Sequence, residues 1–409
     1  MLEKITNHRV YIELMSFLAK AFIVLTFFFP AYYSDFKNHM YYIGFLWPYA
    51  ILVPLMIMLF LKNCRRKWTA KRFAVPLLIL LIVYVVFSVY VNEKYHGWMW
   101  EEIHNVVAFT LAGMLMVYPD MLDDLEFDVV KFLVHCIVLT VFCSIIVCLM
   151  GYERFQICNE KIRFIVLSDR YLESRMSWIY YHKSQFGMML IVFIGFLYRY
   201  RNKFRSMVHF AVAEAIMVTA LYLSHSWASL LMAALIPAGI LLDQMTKKKI
   251  WKNKKFWYAV IPALAVLAVV GIKVFRVIAA ERDISTIGYR IPIWSEGIAY
   301  IASHPWGIGT EFGKNIFTIL NSFEANNCHN VFLNAMLRYS IPVGVLFSLM
   351  FFFVLIYAFG QKKSFWSAGY LLAIIAVMMI DYALLSNGVA SFFLLVLLTL
   401  RQDRKADSE

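Results

Sequence analysis

The stretch FAVPLLILLIVYVVFSVYVN occupies residues 73–92 and contains no charged side chain. An apolar run of about 20 residues is long enough for a helix to cross the hydrocarbon core of a bilayer. In lipid, backbone polar groups must be satisfied within the structure, which leaves helices or a closed barrel. Because the run is continuous and does not alternate between apolar and polar residues, it favours a helix. Residues 73–92 therefore predict a transmembrane helix.

The rest of the chain repeats this pattern. Of its 409 residues, 62% are hydrophobic and 16% are charged, whereas soluble domains contain about 45–50% apolar and about 25% charged residues. The sequence therefore predicts an all-α polytopic membrane protein, forming a single integral membrane domain over residues 1–409. The twelve predicted spans are residues 14–33, 41–61, 73–92, 103–119, 129–150, 185–200, 207–223, 227–242, 256–275, 341–360, 366–385 and 388–400.

Basic residues predict the orientation of these spans. Six lie within residues 62–72, four within 199–205 and six within 247–255, and each group follows an even-numbered span. Cytoplasmic loops carry an excess of Lys and Arg, so both termini are predicted to be cytoplasmic. This orientation makes residues 151–184 an outer loop and residues 276–329 a second, larger one containing short helices. The acidic loop 120–128 departs from the basic pattern and is predicted to be a solvated loop without a metal.

The two predicted outer loops are basic. Arg175 and Lys183 belong to the first and Arg282 to the second. Arg side chains bind phosphate groups in bidentate fashion, so a basic outer surface favours an anionic lipid substrate that carries a phosphate or pyrophosphate. The plainer interpretation is that these cations extend from the membrane to the headgroups.

The long polar interruption of the apolar pattern lies within residues 290–344. It contains Arg290, the sequence HPWGIG at residues 304–309, and His329-Asn330 directly before an apolar helix. An imidazole can take a proton from a sugar hydroxyl near neutral pH, so His329 is the candidate catalytic base. Arg290 is the candidate phosphate clamp. A helix-capping histidine and an interfacial arginine are the structural alternatives.

Other polar residues give weaker signals. The glycines from residue 307 to residue 313 lack the lysine of a nucleotide-binding loop and predict a tight turn behind Pro305 instead. Glu214 and Asp381 lie inside predicted spans, where carboxylates are costly and usually functional. Asp381 is near the outer end of its span and is predicted to border the site.

These motifs together resemble the bacterial O-antigen ligase and polysaccharide polymerase superfamily. The resemblance rests on Arg290 with Trp294 one turn later, on the Pro-x-Gly-x-Gly turn of residues 305–309, and on His329-Asn330 opening a helix. The sequence HKSQFG at residues 182–187 is similar to a His-Lys-Asn-x-x-Gly element of many polymerase members. The motifs cover about a quarter of the chain.

The sequence also departs from the family pattern. A frequent Ser-x-Ser-Arg element reads Ser-His-Ser-Trp at residues 224–227, so its arginine is missing. Arg338 and Ser340 stand where an acidic residue and a glycine are frequent. The phosphate contact expected at this position either comes from Arg175, Lys183 or Arg282 or is missing.

The resemblance implies a GT-C-like glycosyltransferase that uses no metal and no cofactor. Its donor would be an oligosaccharide on undecaprenyl pyrophosphate at the outer leaflet of the bacterial cytoplasmic membrane. His329 would activate the acceptor hydroxyl, and Arg290 would hold the pyrophosphate. The other residues expected to bind pyrophosphate or glycan are Arg175, His182, Lys183, Arg282 and Asn330. The expected partners are this lipid-linked oligosaccharide, membrane lipids and a chain-length regulator protein, with no nucleic acid.

Three functions stay open from the sequence. The first is polymerisation of repeat units into O-antigen or into capsular or exopolysaccharide, which the element at residues 182–187 favours. The second is an O-antigen ligase, which performs the same chemistry onto lipid A–core. The third is a transporter or flippase without covalent chemistry. Its discriminating feature would be an essential Glu214 together with a dispensable His329.

Overall fold

The structure is a computed structural model. It describes residues 6, 8–29, 33–34, 40–41, 47–66, 71–96, 101–151, 154–156, 163–165, 167–169, 174–180, 182–248, 258, 272, 276, 288–311, 317–319, 323–325, 327–381 and 388–402. Most of span 256–275, Arg282 and parts of the two long outer loops lie outside the described residues.

Helices account for most of the described chain. They are α1 (Arg9–Phe28), α2 (Trp47–Asn63), α3 (Lys71–Val91), α4 (Glu101–Val117), α5 (Val129–Leu149), α6 (Lys183–Arg199), α7 (Met207–Leu223), α8 (Trp227–Ala233), α9 (Leu235–Lys248), α10 (Arg290–Ser303), α11 (Val331–Tyr339), α12 (Ile341–Gln361), α13 (Phe365–Ile380) and α14 (Val389–Leu400). A π-helical turn at Asn92–His96 extends α3, and 3-10 turns lie at Met121–Asp124, Arg201–Lys203 and Gly309–Glu311.

The predicted fold class, an all-α polytopic membrane protein, is confirmed. Eleven of the twelve predicted spans coincide with helices in the described ranges, with ends shifted by a few residues. Five helical stretches there are long and apolar enough to cross a membrane, and five shorter apolar helices accompany them. Two details differ from the sequence prediction. Span 227–242 is broken into α8 and α9 at Ala234, because Pro237 has no N–H for the carbonyl of Ala233. Helix α13 ends at Ile380, five residues before the predicted end of span 366–385.

Short strands accompany the helices in the connections; the sequence predicted short helices in the larger outer loop and an outer loop at residues 151–184. The strands are β1 (Tyr33–Ser34), β2 (Met40–Tyr41), β3 (Arg154–Gln156), β4 (Arg163–Ile165), β5 (Leu167–Asp169), β6 (Ser174–Met176), β7 (Phe317–Ile319) and β8 (Phe323–Ala325). One antiparallel sheet has the order β2-β1-β4-β3, and β5-β6 and β7-β8 form hairpins. Because β1 pairs with β4, the connection after α1 and the connection after α5 lie on the same side of the helices.

Helices α6 and α14 form the centre of the protein. Every residue from Lys183 to Leu197 is buried, and so is every residue of α14. A helix that is apolar on all sides is expected to be surrounded by other helices. Phe351 of α12 packs against Phe392 and Phe393 of α14, with ring centroids 5.3 and 5.0 Å apart.

Small residues bring α13 close to its neighbours. A Cβ on Gly195 of α6 would lie 2.3 Å from the ring of Tyr370, and one on Gly369 would lie 2.3 Å from the carbonyl oxygen of Leu235. Glycines allow this close approach of helices, as at other membrane helix interfaces. The carboxylate of Asp243 on α9 accepts hydrogen bonds from the backbone N–H groups of Phe365 and Trp366. These contacts hold α13, and with it Asp381.

The acidic loop 120–128 pairs with the basic segments. Arg401 contacts Asp120 at 2.8 Å and Asp123 at 2.6 Å. Two further ion pairs complete this ionic cluster, namely Arg66 with Asp124 at 2.7 Å and Lys203 with Asp128 at 2.6 Å. The loops after α2, α4 and α6 and the end of α14 therefore meet at one end of the helices. The basic pattern predicts these loops to lie together, and the acidic residues of loop 120–128 pair with their cations.

Candidate functional site

The carboxylate of Asp381 is the centre of the candidate site. Asp381 follows the last residue of α13 and is 7% exposed. The 16 residues of α13 span about 24 Å, which separates Asp381 from the end of the helices that carries the ionic cluster. Oδ1 of Asp381 lies 3.2 Å from Nδ1 of His329, and Oδ2 lies 3.5 Å from Nη2 of Arg290. Oδ2 also accepts a hydrogen bond from the hydroxyl of Ser184. Residues from three distant parts of the sequence thus meet at one carboxylate.

Electrostatics keeps this carboxylate charged. Burial by itself disfavours a charged carboxylate. The hydroxyl of Ser184 donates to Oδ2, and the guanidinium of Arg290 lies 3.5 Å from the same oxygen, and both contacts favour the charged form. Asp381 is therefore an anion at neutral pH and can only accept hydrogen bonds.

The charge of Asp381 determines which ring nitrogen of His329 is protonated. Since the carboxylate only accepts, Nδ1 of His329 carries the proton that faces it. In the neutral ring Nε2 is then unprotonated and can accept a proton. The side chain of His329 is 33% exposed, whereas that of Asp381 is 10% exposed. The pair thus has a buried carboxylate and an imidazole that solvent or a ligand can reach.

Asparagine side chains hold the backbone around His329. Asn327 accepts the N–H of His329 at 2.8 Å, and Asn334 accepts the N–H of Cys328 at 2.7 Å. Asn330 caps α11 by accepting the N–H groups of Phe332 and Leu333 and donates to the carbonyl of Met379. His329 has a left-handed backbone, with φ of 46°, which costs a non-glycine residue free energy.

Further left-handed residues flank the site. Trp178, His225 and Tyr289 have φ of 52°, 51° and 67°. Each lies close in sequence to a predicted site residue or contacts one. Backbone strain of this kind persists where the surrounding structure enforces it, and it concentrates at functional sites.

Arg290 is held by the protein on several sides. It begins α10 directly after Tyr289 and is 6% exposed. Its Nε donates to the carbonyl of Ile380, and Nη2 faces Asp381. The guanidinium therefore links α10 to the end of α13. Trp294, one turn later, packs with Ile293 in a small apolar cluster around Cys328.

The element at residues 182–187 contributes Ser184 to the site. The ring of His182 accepts the N–H of Ser184 and so caps α6. Lys183 is buried, and its Nζ donates to the carbonyl of His225 at 3.0 Å. Gly187 packs so closely on the corner after α7 that a Cβ would lie 2.6 Å from the hydroxyl of Ser226.

The predicted tight turn at residues 305–309 is present, and its backbone is hydrogen-bonded to the reversal between α11 and α12. Gly307 has φ of 79° and lies against the reversal between α11 and α12. The N–H of Ile308 donates to the carbonyl of Leu337, and the N–H of Ile341 donates to that of Pro305, both at 2.9 Å. Trp306 contacts His96 through its carbonyl at 2.6 Å.

His329 lies at a distance from this turn, measured along α12. Helix α11 folds back along α12, so Phe332 stacks on Phe352 at 4.9 Å. Phe352 lies 11 residues into α12, which corresponds to about 16 Å along the helix from the reversal at Ser340. The site is thus well below the turn that the Pro-Gly motif forms, beside the middle of α12.

The remaining predicted site residues are placed as follows. Arg175 lies on β6, in the hairpin that leads towards His182. Arg282 lies outside the described residues. Glu214 is on α7 and has no part in the contacts around Asp381 described above. Within the described ranges, no group of three or more His, Cys, Asp or Glu side chains forms a metal-type cluster.

Sequence reasoning placed His329, Arg290 and Asp381 in the same region but did not single out Ser184. The signal for Asp381 was a carboxylate in an apolar span. Serine is common in helices and at helix starts, so Ser184 could have been found only through its position two residues after His182.

Residues 212–348 match the O-antigen ligase family model. This family domain covers about a third of the chain and includes Arg290, the Pro-Gly turn and His329. Ser184 and Asp381 lie outside it. The match confirms the resemblance to the O-antigen ligase and polysaccharide polymerase superfamily. No curated protein matches the chain.

The family match supports a function of the O-antigen ligase and polymerase type at the level of the family. Its members are glycosyltransferase-like membrane enzymes that act on lipid-linked glycans. The helices described above agree with a membrane protein of this kind.

Proposed function

We propose that the protein polymerises oligosaccharide repeat units carried on undecaprenyl pyrophosphate, at the outer leaflet of the cytoplasmic membrane. The observation that carries this proposal is the contact between His329 and the buried Asp381, within reach of Arg290. A base and a guanidinium converge at the end of α13 that lies away from the ionic cluster, and the basic pattern of the sequence predicts that end to face outward.

In the proposed reaction Nε2 of His329 takes the proton of the acceptor sugar hydroxyl. The oxygen attacks the anomeric carbon of the donor, and the bond from that carbon to the pyrophosphate breaks. The pyrophosphate leaves on its lipid with the electron pair of that bond. Asp381 keeps its charge and stabilises the imidazolium that forms, as the carboxylate of a catalytic triad does.

Cations are expected to stabilise the departing pyrophosphate. This electrostatic contribution is usually the largest in transfers that develop negative charge. The guanidinium of Arg290 lies 3.5 Å from the carboxylate of the His329–Asp381 pair, and Arg175, His182, Lys183 and Arg282 stay predicted contacts of the pyrophosphate or glycan. Asn330 has the same predicted role, in addition to the helix cap that it provides.

The position of His329 along α12 gives a second argument for a lipid-linked donor. Helices α6, α7 and α13 have 16 or 17 residues, or about 24–26 Å, which is less than the roughly 30 Å of a bilayer core. Because the helices around the site are shorter than the bilayer core, the head of a lipid carrier would have to move only part of the way along α12 to reach His329.

The decisive experiment incubates purified protein in nanodiscs with lipid-linked repeat units and separates the products by length. A ladder of lengths supports polymerisation, and a single transfer onto added lipid A–core supports the ligase alternative. His329→Gln should abolish either product while the protein keeps its thermal stability. Translocation of the lipid-linked glycan without a new glycosidic bond, and with His329→Gln fully active, would instead identify a flippase.

A further inference from the structure

Ser184 connects the start of α6 to the charged pair. It is the second residue of the helix and is fully buried. Its hydroxyl donates to Oδ2 of Asp381, 197 residues later in the chain, while Oδ1 of the same carboxylate faces His329. A single carboxylate thus joins α6, the end of α13 and the segment that carries His329.

The position of Ser184 is itself tightly held. On one side of it, Lys183 is tethered to the carbonyl of His225. One turn further, Gly187 contacts the corner after α7, where a Cβ would lie 2.7 Å from the hydroxyl of Ser229. The first turns of α6 therefore cannot shift relative to this corner without breaking a buried contact, and the hydroxyl of Ser184 points at a fixed place.

A fixed donor is needed because the carboxylate could otherwise turn. The terminal torsion of an aspartate side chain is broad and roughly two-fold, so Asp381 can rotate its oxygens away from His329. The guanidinium of Arg290 approaches Oδ2 only to 3.5 Å, a weak geometry for a hydrogen bond. The hydrogen bond from Ser184 is a second restraint on Oδ2.

We propose that Ser184 is a positioning residue for the transfer reaction. Its hydroxyl orients Asp381 so that Oδ1 holds the protonated Nδ1 of His329 and Nε2 stays available to the acceptor hydroxyl. This inference rests on the proposed function, and it extends the machinery to a residue outside the family domain. Ser184 forms no bond with substrate and exchanges no proton during the reaction.

The first test compares Ser184→Ala with Ser184→Thr in the repeat-unit assay, using the full chain in nanodiscs. Loss of a hydrogen bond to a charged group corresponds to about a 10- to 100-fold effect. We therefore expect Ser184→Ala to lower kcat by about 10-fold or more with KM unchanged. Ser184→Thr keeps the hydroxyl and should recover most of the lost kcat.

The second test is a double-mutant cycle with Asp381→Asn, which also covers the case that the larger side chain of Ser184→Thr does not fit this buried position. A positioning residue acts through Asp381, so adding Ser184→Ala to Asp381→Asn should cause little further loss. If Ser184 only packs, the two losses multiply. Ser229→Ala is the matched control, because this serine is equally buried and adjoins Gly187 but does not contact Asp381. Its kcat should stay within about 2-fold of wild type.

The outcomes separate the inference from the function on which it rests. If wild type forms product and Ser184→Ala retains its kcat, or if the losses multiply in the cycle, the positioning role is refuted and the proposed function stands. If wild type itself forms no product from verified substrate, the proposed function fails and the inference with it.

Discussion

Replacing Asp381 with asparagine tests the central contact with almost no change in shape. The carboxylate accepts from Ser184 on one oxygen and faces His329 with the other. An amide has one accepting oxygen and one donating NH2 group. If the oxygen serves Ser184 and Arg290, the NH2 group faces Nδ1 of His329, which must then accept. The proton of the ring moves to Nε2, and the base is lost.

The expected loss follows from what a base contributes. General base catalysis accounts for about 100- to 10,000-fold in rate, which is about 2.7–5.5 kcal/mol in the activation free energy. We expect Asp381→Asn to lower kcat within this range. The same change leaves the buried guanidinium of Arg290 without its anion, and removing one partner of a buried ion pair costs about 3–5 kcal/mol of stability. The variant should therefore also unfold at a lower temperature.

The assay measures initial rates of repeat-unit transfer at a temperature where thermal unfolding shows the variant to be folded. Asp120→Asn is the matched control, because this aspartate pairs with Arg401 in the ionic cluster at the other end of the helices. It should keep kcat within about 2-fold of wild type. A folded Asp381→Asn protein with wild-type kcat would refute the tautomer argument, and so would equal losses in the two variants.

Three further changes have defined outcomes. Gly187→Val should lower the melting temperature, since overpacking against Ser229 costs about 1–3 kcal/mol, whereas valine at the exposed Gly360 should not. Asn330→Ala removes the cap of α11, which costs about 1 kcal/mol, and should reduce kcat because it loosens the backbone of His329. Asn330→Asp keeps the cap but not the donation to the Met379 carbonyl, so unchanged kcat in both Asn330 variants would contradict that link. Arg401→Ala should cost about 1 kcal/mol or less, with transfer unaffected and a smaller difference from wild type at high salt in thermal unfolding.

Most of the helices could be predicted from the sequence because lipid imposes a local rule. Each apolar run must satisfy its own backbone hydrogen bonds, so composition over about 20 residues is sufficient to locate a span such as α3 or α12. The break at Ala234 also has a local cause in Pro237. The sequence predicted that the span of α13 continues to residue 385, beyond the observed end of this helix at Ile380. The prediction was too long because the residues after Ile380 continue the apolar pattern, while Asp381 turns towards other helices.

The site could be predicted only in part. His329 and Arg290 were identified from a motif near one another in the chain, and Asp381 from its cost in an apolar span. The contact of Ser184 with Asp381 has no local signal, because it depends on how α6 packs against α13. The closeness of these helices depends in turn on Gly195 beside Tyr370, a pairing that neither residue reveals alone.

The sequence by itself determined that the chain crosses a membrane, where its helices lie and which polar residues stand out, since hydrophobic burial and helix formation act over neighbouring residues. Only the tertiary structure decided that His329 has a buried carboxylate at Nδ1 and that Ser184 directs that carboxylate. The acidic loop likewise acquired its partner Arg401 only through folding. These contacts join residues up to 281 positions apart, and such distances in sequence are closed only by the packing of helices.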